Sequence, residues 1–129
     1  MHARQSIIRK TSSGSATIFW LDREALLANI RQAAERLSRD RPEVSTTVLF
    51  GSAASGRAVP GSDADVMIVA RNLDVRPLDR PFVYIPYFEG VGVGVELFVY
   101  TQEELARSVP GIARAAFRRG LTLFSRAGS

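Results

Sequence analysis

The strongest constraint on this chain is a pair of apolar runs separated by a polar loop that carries two closely spaced aspartates. The first run, residues 44–50, is rich in β-branched and apolar residues and stops abruptly at Gly51. The second run, residues 65–70, is apolar throughout after Asp65, and Asp63 precedes it by two positions. Such runs are typical of β-strands, and an uninterrupted one is typical of a strand covered on both faces. The chain is therefore predicted to build a sheet with acidic residues at one edge.

An amphipathic helix is predicted before the first of these strands. Asp22 suits its N-cap, because a carboxylate there accepts hydrogen bonds from unpaired backbone N–H groups. Residues 17–21, just before it, form a short apolar run that predicts either a strand or a contact that fixes the helix entrance. The helix ends before Pro42, and its apolar residues recur at three- and four-residue steps as one stripe: Leu26, Leu27, Ile30, Ala33, Ala34 and Leu37.

Two further strands are predicted in the second half of the chain. Residues 82–88 and 91–100 are interpreted as a strand pair joined near Glu89 and Gly90. Pro86 lacks a backbone N–H, so the first strand of this pair is expected to lie at an edge or to be irregular.

The last segment is predicted to hold two helices and a closing strand. Thr101 and Glu104 have the spacing of a capping box, which indicates a short helix after Thr101. Residues 112–119 show a second helical pattern, for which Gly120 suits the C-terminal cap. Residues 121–124 are then expected to form a strand.

These elements together predict an α/β fold with a mixed β-sheet of four or five strands backed by helices. The backing helices are the ones that begin near Asp22 and Ile112. Residues 1–15 are rich in polar and basic side chains and are expected to form a flexible N-terminal tail. Since 129 residues suit one core, residues 16–129 are predicted to be a single domain.

The composition restricts the chemistry of any active site. The chain has no cysteine and a single histidine, His2, near its beginning. Thiol nucleophiles, thiolate zinc sites and most histidine acid–base schemes are therefore excluded. Catalysis, if present, must rest on carboxylates, hydroxyls or a bound metal ion.

The charge and hydropathy indicate the expected partners and compartment. A net charge of +4 favours polyanionic ligands such as nucleotides, although a solvated arginine-rich surface explains it equally well. The basic residues form no continuous run, so direct nucleic-acid binding is not expected. No stretch reaches the roughly 18 uninterrupted apolar residues of a membrane span, and no apolar secretory segment is visible. A cytoplasmic protein without a membrane partner is predicted.

Three carboxylates are the candidate catalytic residues. Asp63 and Asp65 are two positions apart at the start of a strand, so extended backbone places both side chains on one face. Two like charges this close repel each other unless a hard cation such as Mg²⁺ lies between them. Glu96 interrupts an apolar strand and is the best third carboxylate, because a neighbouring strand can bring it beside the aspartates.

Each of these features is common by itself. A Gly-Ser pair is usually a turn, an Asp-x-Asp pair is usually a solvated loop, and an acid such as Glu96 usually faces water from a half-buried strand. The combination is more specific: Gly51-Ser52 ends one strand, ten residues follow, Asp63-Ala64-Asp65 opens the next strand, and a third acid lies in a later strand.

This combination resembles the minimal nucleotidyltransferases of the DNA polymerase beta superfamily, whose signature is Gly-Ser, ten residues and Asp-x-Asp before an apolar strand. The resemblance implies the polymerase beta-like nucleotidyltransferase fold and phosphate binding by Gly51 and Ser52. It also implies that Asp63, Asp65 and Glu96 are catalytic and hold two Mg²⁺ ions.

The sequence departs from the family at two places. Many relatives carry arginines soon after the Gly-Ser pair, where this chain has Ala53 and Ser55, and the third acid is commonly aspartate. Arg57 is the candidate that supplies the missing positive charge to the nucleotide. Ser62, next to the first aspartate, completes the predicted nucleotide-binding set.

The resemblance implies Mg²⁺-dependent transfer of a nucleoside monophosphate, AMP from ATP, to an acceptor hydroxyl. Minimal members of the family are often antitoxins paired with a small helical HEPN-type toxin, and the acceptor hydroxyl is then expected on that partner. Two alternatives stay open. One is a catalytically degenerate module that binds a nucleotide or a partner protein, and the other is transfer to a small molecule of the aminoglycoside type in a homodimer.

Overall fold

The computed structural model describes residues 8–14, 16–58 and 61–126. Two 3-10 turns, Pro77–Asp79 and Ile85–Phe88, flank the third helix. The helices and strands are, in chain order, β1 (Ile8–Ser13), β2 (Ala16–Leu21), α1 (Arg23–Asp40), β3 (Val44–Phe50), α2 (Ser52–Ser55), β4 (Ala64–Ala70), α3 (Arg80–Tyr84), β5 (Val95–Thr101), α4 (Gln102–Arg107), α5 (Gly111–Arg119) and β6 (Leu121–Ser125).

The central sheet has four strands in the order β5-β4-β3-β6. Strand β3 lies antiparallel to both β4 and β6, whereas β4 and β5 are parallel. The predicted mixed sheet of an α/β fold is therefore confirmed, with four strands. Strands β1 and β2 form a separate antiparallel hairpin.

The two faces of the sheet are covered by different helices. Helix α1 packs on one face through the predicted apolar stripe, with Leu26, Ile30 and Leu37 fully buried in the main core. Helix α5 covers part of the other face, where Ala113 and Ala116 pack against Val48 and neighbouring residues. Within the described ranges, no helix has both the length and the apolar character needed to cross a bilayer.

The caps that the sequence predicts are present. The Asp22 carboxylate accepts a hydrogen bond from the Ala25 backbone N–H at 3.0 Å and caps α1. At the start of α4, the Thr101 hydroxyl and the Glu104 carboxylate each accept from the other residue's backbone N–H, which confirms the capping box. The structure also decides between the alternatives for residues 17–21, which belong to a strand.

Two predictions from the sequence are wrong. Residues 8–13, part of the stretch 1–15 assigned to a flexible tail, form β1, because their backbone groups pair with those of β2. Residues 1–7 of that stretch lie outside the described residues. Residues 82–88 are not a strand but continue α3 and the 3-10 turn after it. The expected hairpin with residues 91–100 is therefore absent, and β5 begins only at Val95.

Burial at a spacing of four residues explains the helical conformation around residue 84. Arg80, Tyr84 and Phe88 are all buried, which is the spacing of one helix face and not of a strand. The Tyr84 hydroxyl donates to the Glu43 carboxylate, and the Arg80 guanidinium donates to Glu104 at 2.7 Å. These contacts fix the crossover between β4 and β5, and with it the position of β5 beside β4.

Gly120 is needed for close packing and not for a left-handed backbone. It caps α5 as predicted, but its φ is −81°, and a Cβ there would lie 2.4 Å from both the Ala116 carbonyl oxygen and Val48 Cγ1. Gly120→Ala is therefore expected to lower the free energy of unfolding by about 3 kcal/mol through overpacking. Chemical denaturation checks this, with Gly111→Ala as control because nothing lies within 4 Å of that added Cβ. Equal stability of the two variants would contradict the prediction.

Candidate functional site

The sheet places one residue from each of three neighbouring strands in a single row. Asp65 on β4 lies opposite Phe50 on β3 and, on its other side, opposite Glu96 on β5. Residues opposite one another on adjacent strands point to the same face of a sheet. This row therefore lies on the face that α5 covers, beyond the buried Met67 and Val69 of β4. The sequence-predicted pairing of Asp65 with Glu96 is present in the strand register.

Asp63 lies immediately before β4 and is held close to the start of β5. The backbone N–H of Ala64 donates to the Gly94 carbonyl at 2.8 Å, which joins the two strand entrances. A Cβ on Gly94 would lie 2.5 Å from Asp63 Oδ1, so the absence of a side chain at Gly94 makes room for this carboxylate. Gly94 is a contributor to the site that the sequence reasoning missed.

Gly51 has a corresponding relation to Asp65. Its φ of +74° and ψ of −153° belong to a region that is almost restricted to glycine. A Cβ at this position would lie 2.6 Å from Asp65 Oδ2. Gly51 therefore both turns the chain from β3 into α2 and gives the Asp65 carboxylate space above its backbone.

The three carboxylates influence one another electrostatically. The pKa of Asp65 is raised, first by burial and then by the negative charges of Glu96 and Asp63. Both of those residues are exposed, whereas Asp65 is half-buried. A concentration of negative charge around a partly desolvated carboxylate is a favourable environment for a hard divalent cation.

The carboxylates are turned toward different glycines, Asp65 toward Gly51 and Asp63 toward Gly94. In this orientation, the described ranges contain no group of three acidic, histidine or cysteine side chains arranged to hold a metal ion. The exposed Asp63 and Glu96 side chains change rotamer at small cost, and their backbones lie beside that of Asp65. All three side chains offer carboxylate oxygens, which are the kind of ligand that Mg²⁺ prefers.

The predicted nucleotide-binding residues lie on the loop beside this row. Gly51 and Ser52 form the junction between β3 and α2, and the Arg23 guanidinium donates to the Ala54 carbonyl at 2.8 Å at the other end of α2. The exposed Arg57 donates from Nε to Ser55 Oγ at 2.9 Å. Ser62 is half-buried and directly precedes the first aspartate.

A cleft of about 200 Å³ connects this loop with α5. Two residues of its wall, Gly51 and Arg57, were predicted from the sequence to bind the nucleotide, whereas Phe50 and Arg119 were not. The Phe50 ring also packs against Phe98, with ring centroids 5.4 Å apart. The cleft is lined by Phe50, Gly51, Ser55, Arg57, Ala115 and Arg119.

A comparison with protein families explains this arrangement. The model of the family described as the nucleotidyltransferase domain matches residues 30–122, which include the Gly-Ser turn, both aspartates and Glu96. The chain belongs to this family. No protein of curated function matches the sequence at a significant level.

Solved structures share the fold of this nucleotidyltransferase domain. A Sulfolobus solfataricus protein assigned as a nucleotidyltransferase aligns with a TM-score of 0.59 and 18% identity, over 83% of this chain and 86% of its own. A toxin–antitoxin structure with AMP-PNP aligns with a TM-score of 0.57 and 20% identity, over 75% and 74%. A mutant of the toxin–antitoxin MntA–HpeT, with two aspartates changed to glutamate, aligns with a TM-score of 0.54 and 17% identity, over 75% of this chain and 74% of its own. The nucleotidyltransferase fold expected from the sequence is confirmed.

Proposed function

We propose that this domain transfers AMP from ATP to a hydroxyl group of a partner protein, with Mg²⁺ held by Asp63, Asp65 and Glu96. The observation that carries the proposal is the row that places Glu96 beside Asp65 on parallel strands, next to the Gly51 turn. Family membership supports nucleotidyl transfer as the class of reaction. The row supplies two of the three proposed carboxylates, and Asp63 lies just before β4, two residues from Asp65.

Each residue of the site has a defined task in this proposal. Asp63 and Asp65 would hold Mg²⁺ against the triphosphate, and Glu96 would contribute to a second ion near the acceptor hydroxyl. When bound, Mg²⁺ neutralises phosphate charge and lowers the pKa of an oxygen nucleophile. Gly51 and Ser52 would donate hydrogen bonds to phosphate oxygens, since backbone N–H groups are accessible where a glycine replaces a side chain.

The chemical step is an in-line displacement at the α-phosphorus. A bond forms between the acceptor oxygen and the α-phosphorus, and the bond to the oxygen bridging the α- and β-phosphates breaks. The hydroxyl proton passes toward the carboxylate of Glu96 and then to solvent, while pyrophosphate leaves. Positioning and charge neutralisation supply most of the rate enhancement in such transfers.

ATP and a protein acceptor are supported by the structural neighbours. One of them is a toxin–antitoxin with AMP-PNP, an analogue of ATP that has an imido group between its β- and γ-phosphates, and another is the toxin–antitoxin MntA–HpeT. We propose a HEPN-type toxin as the partner of this chain and a hydroxyl side chain on that toxin as the acceptor. The domain would then act as the antitoxin by modifying its partner.

Incorporation of label from [α-³²P]ATP tests the proposal. The domain is incubated with Mg²⁺ and the protein encoded by the adjacent reading frame, and labelled protein and released pyrophosphate are measured. We expect label on the partner, with pyrophosphate in equal amount, and neither product when the metal is chelated. Absence of label and pyrophosphate with all four nucleoside triphosphates would contradict an active enzyme.

A second candidate function is a degenerate module that binds nucleotide or partner without turnover. Two observations favour it: the carboxylates turn toward different glycines, and Ala53 and Ser55 stand where many relatives have arginine. Tight binding of ATP without pyrophosphate release distinguishes this module from the enzyme.

A further inference from the structure

We infer that Arg119, on α5, binds the terminal phosphates of the nucleoside triphosphate together with Arg57. The inference rests on the proposed function for the identity of the ligand, and it assigns a phosphate-binding residue outside the Gly-Ser to Asp-x-Asp segment. It also gives α5 a role in the site besides covering the sheet.

The position of Arg119 is the first observation. Arg119 is the last residue of α5, and it lines the same cleft as Arg57 and Gly51 although it lies 62 residues beyond Arg57 in the chain. Gly120 directly after it packs against Val48 and Leu49 of β3 without space for a Cβ. The end of α5 is therefore held against the strand that leads into the Gly51 turn.

The charge of the cleft is the second observation. Arg57 and Arg119 are both exposed, and across the described ranges neither forms a salt bridge with a carboxylate. Helix α5 contains three arginines and no acid, so its own sequence offers Arg119 no carboxylate partner. The two guanidinium groups beside the Gly51 turn, whose charges no carboxylate of the described residues neutralises, are therefore suited to bind phosphate.

The row across the sheet gives the direction in which a triphosphate would lie. Glu96, Asp65 and Phe50 are successive positions on β5, β4 and β3, with about 5 Å between neighbouring strands. The carboxylates are at the β5 side of this row, and the cleft with both arginines adjoins Phe50 at the β3 side. A triphosphate with its α-phosphate at the acids reaches Arg57 and Arg119 when its following phosphates extend along the row toward β3.

This placement also accounts for the departure from the family pattern. The chain has Ala53 and Ser55 where many relatives have arginines after the Gly-Ser pair. Arg119 approaches the same turn from α5 and supplies the positive charge from another part of the fold. Guanidinium groups bind phosphate through paired, charge-assisted hydrogen bonds, so their position is more important than the element that carries them.

Helix α5 also offers a matched control. Arg114 is exposed on the same helix but lines a neighbouring cleft with Gly111, Ala115, Arg118 and Arg119, and not the cleft of Gly51. Replacement of Arg114 removes the same charge from the same helix at a site away from the proposed phosphates. A general electrostatic effect and a direct contact are distinguished in this way.

Isothermal titration of the full chain with Mg²⁺ and AMP-PNP, and separately with AMP, tests the inference. Arg119→Ala and Arg57→Ala are each expected to weaken AMP-PNP binding about tenfold or more, the value of one charge-assisted hydrogen bond. AMP binding should change less than about twofold, and so should AMP-PNP binding to Arg114→Ala. Circular dichroism confirms folding, and Arg119→Lys should restore part of the affinity because the charge returns.

Several results would overturn the inference. Equal effects of Arg119→Ala and Arg114→Ala would show a general charge effect, and equal loss of AMP and AMP-PNP affinity would show a contact away from the terminal phosphates. Failure of the unsubstituted protein to bind AMP-PNP would also overturn it. If no label is transferred but the affinity for AMP-PNP still depends on Arg119, the result contradicts only the proposed enzymatic activity. The phosphate contact of Arg119 is then supported.

Discussion

Replacement of Asp65 by asparagine is expected to lower nucleotidyl transfer by at least about a hundredfold, because the variant loses a carboxylate ligand of the proposed Mg²⁺ site. Asp65 is the central member of the row and the one carboxylate that lies opposite Glu96. The asparagine side chain has the same shape, so the strand pairing and the fold should be retained. The initial rate of pyrophosphate release at saturating ATP measures the effect.

The same substitution is expected to stabilise the protein in the absence of metal. Burial and the charges of Glu96 and Asp63 raise the pKa of Asp65, so its ionised form is unfavourable in the folded state. This destabilisation is absent at a pH below the pKa of Asp65 in the unfolded chain. It develops as the pH rises through the higher pKa of Asp65 in the folded protein. At neutral pH, Asp65→Asn should therefore have the higher melting temperature, and addition of Mg²⁺ should stabilise the unsubstituted protein but not Asp65→Asn.

Asp74→Asn is the control for both measurements. Asp74 is exposed and follows the far end of β4, so its loss removes one negative charge without touching the row. Its rate and its response to Mg²⁺ should equal those of the unsubstituted protein. Unchanged transfer by Asp65→Asn would exclude the role proposed for this carboxylate.

Gly51→Ala is expected to lower transfer by about a hundredfold as well, although it changes no chemical group. The added Cβ would lie 2.6 Å from Asp65 Oδ2, so the carboxylate must move away from its place beside the turn. A displacement of about 1 Å costs on the order of a hundredfold in rate when it affects a reacting geometry. The backbone also becomes strained at φ +74°, which costs about 1–3 kcal/mol of stability.

Gly61→Ala separates these two effects. Gly61 also has a positive φ, +91°, but nothing lies within 4 Å of its added Cβ. It should therefore lose stability with little loss of transfer, as measured by thermal denaturation and pyrophosphate release on the same samples. Equal losses of transfer in both variants would show that backbone strain, and not the contact with Asp65, is responsible.

The elements that local patterns specify were predictable from the sequence. Strand β3 was predicted from its run of β-branched and apolar residues, and helix α1 from the three- and four-residue spacing of its apolar stripe and the capping Asp22. Residues 82–88 were assigned to a strand because their apolar and aromatic content resembles one. Their helical conformation depends on the burial of Arg80 against Glu104, a contact between distant residues that local composition does not reveal.

The candidate site was predictable in part for a similar reason. Asp63 and Asp65 belong to one motif, and Glu96 could be proposed because an acid in an apolar strand is unusual. Gly94 and Arg119 lie far from that motif, and their relation to it depends on the parallel pairing of β4 with β5 and on the packing of α5. No spacing along the chain indicates either contact.

The position of a divalent ion tests the central claim most directly. Crystals grown with Mn²⁺ and AMP-PNP, measured at a wavelength where manganese scatters anomalously, locate the ion independently of any assumed mechanism. We predict an ion at about 2.1 Å from carboxylate oxygens of Asp63 and Asp65 and a second position near Glu96. Bound AMP-PNP with Mn²⁺ that none of these three carboxylates contacts would contradict the account.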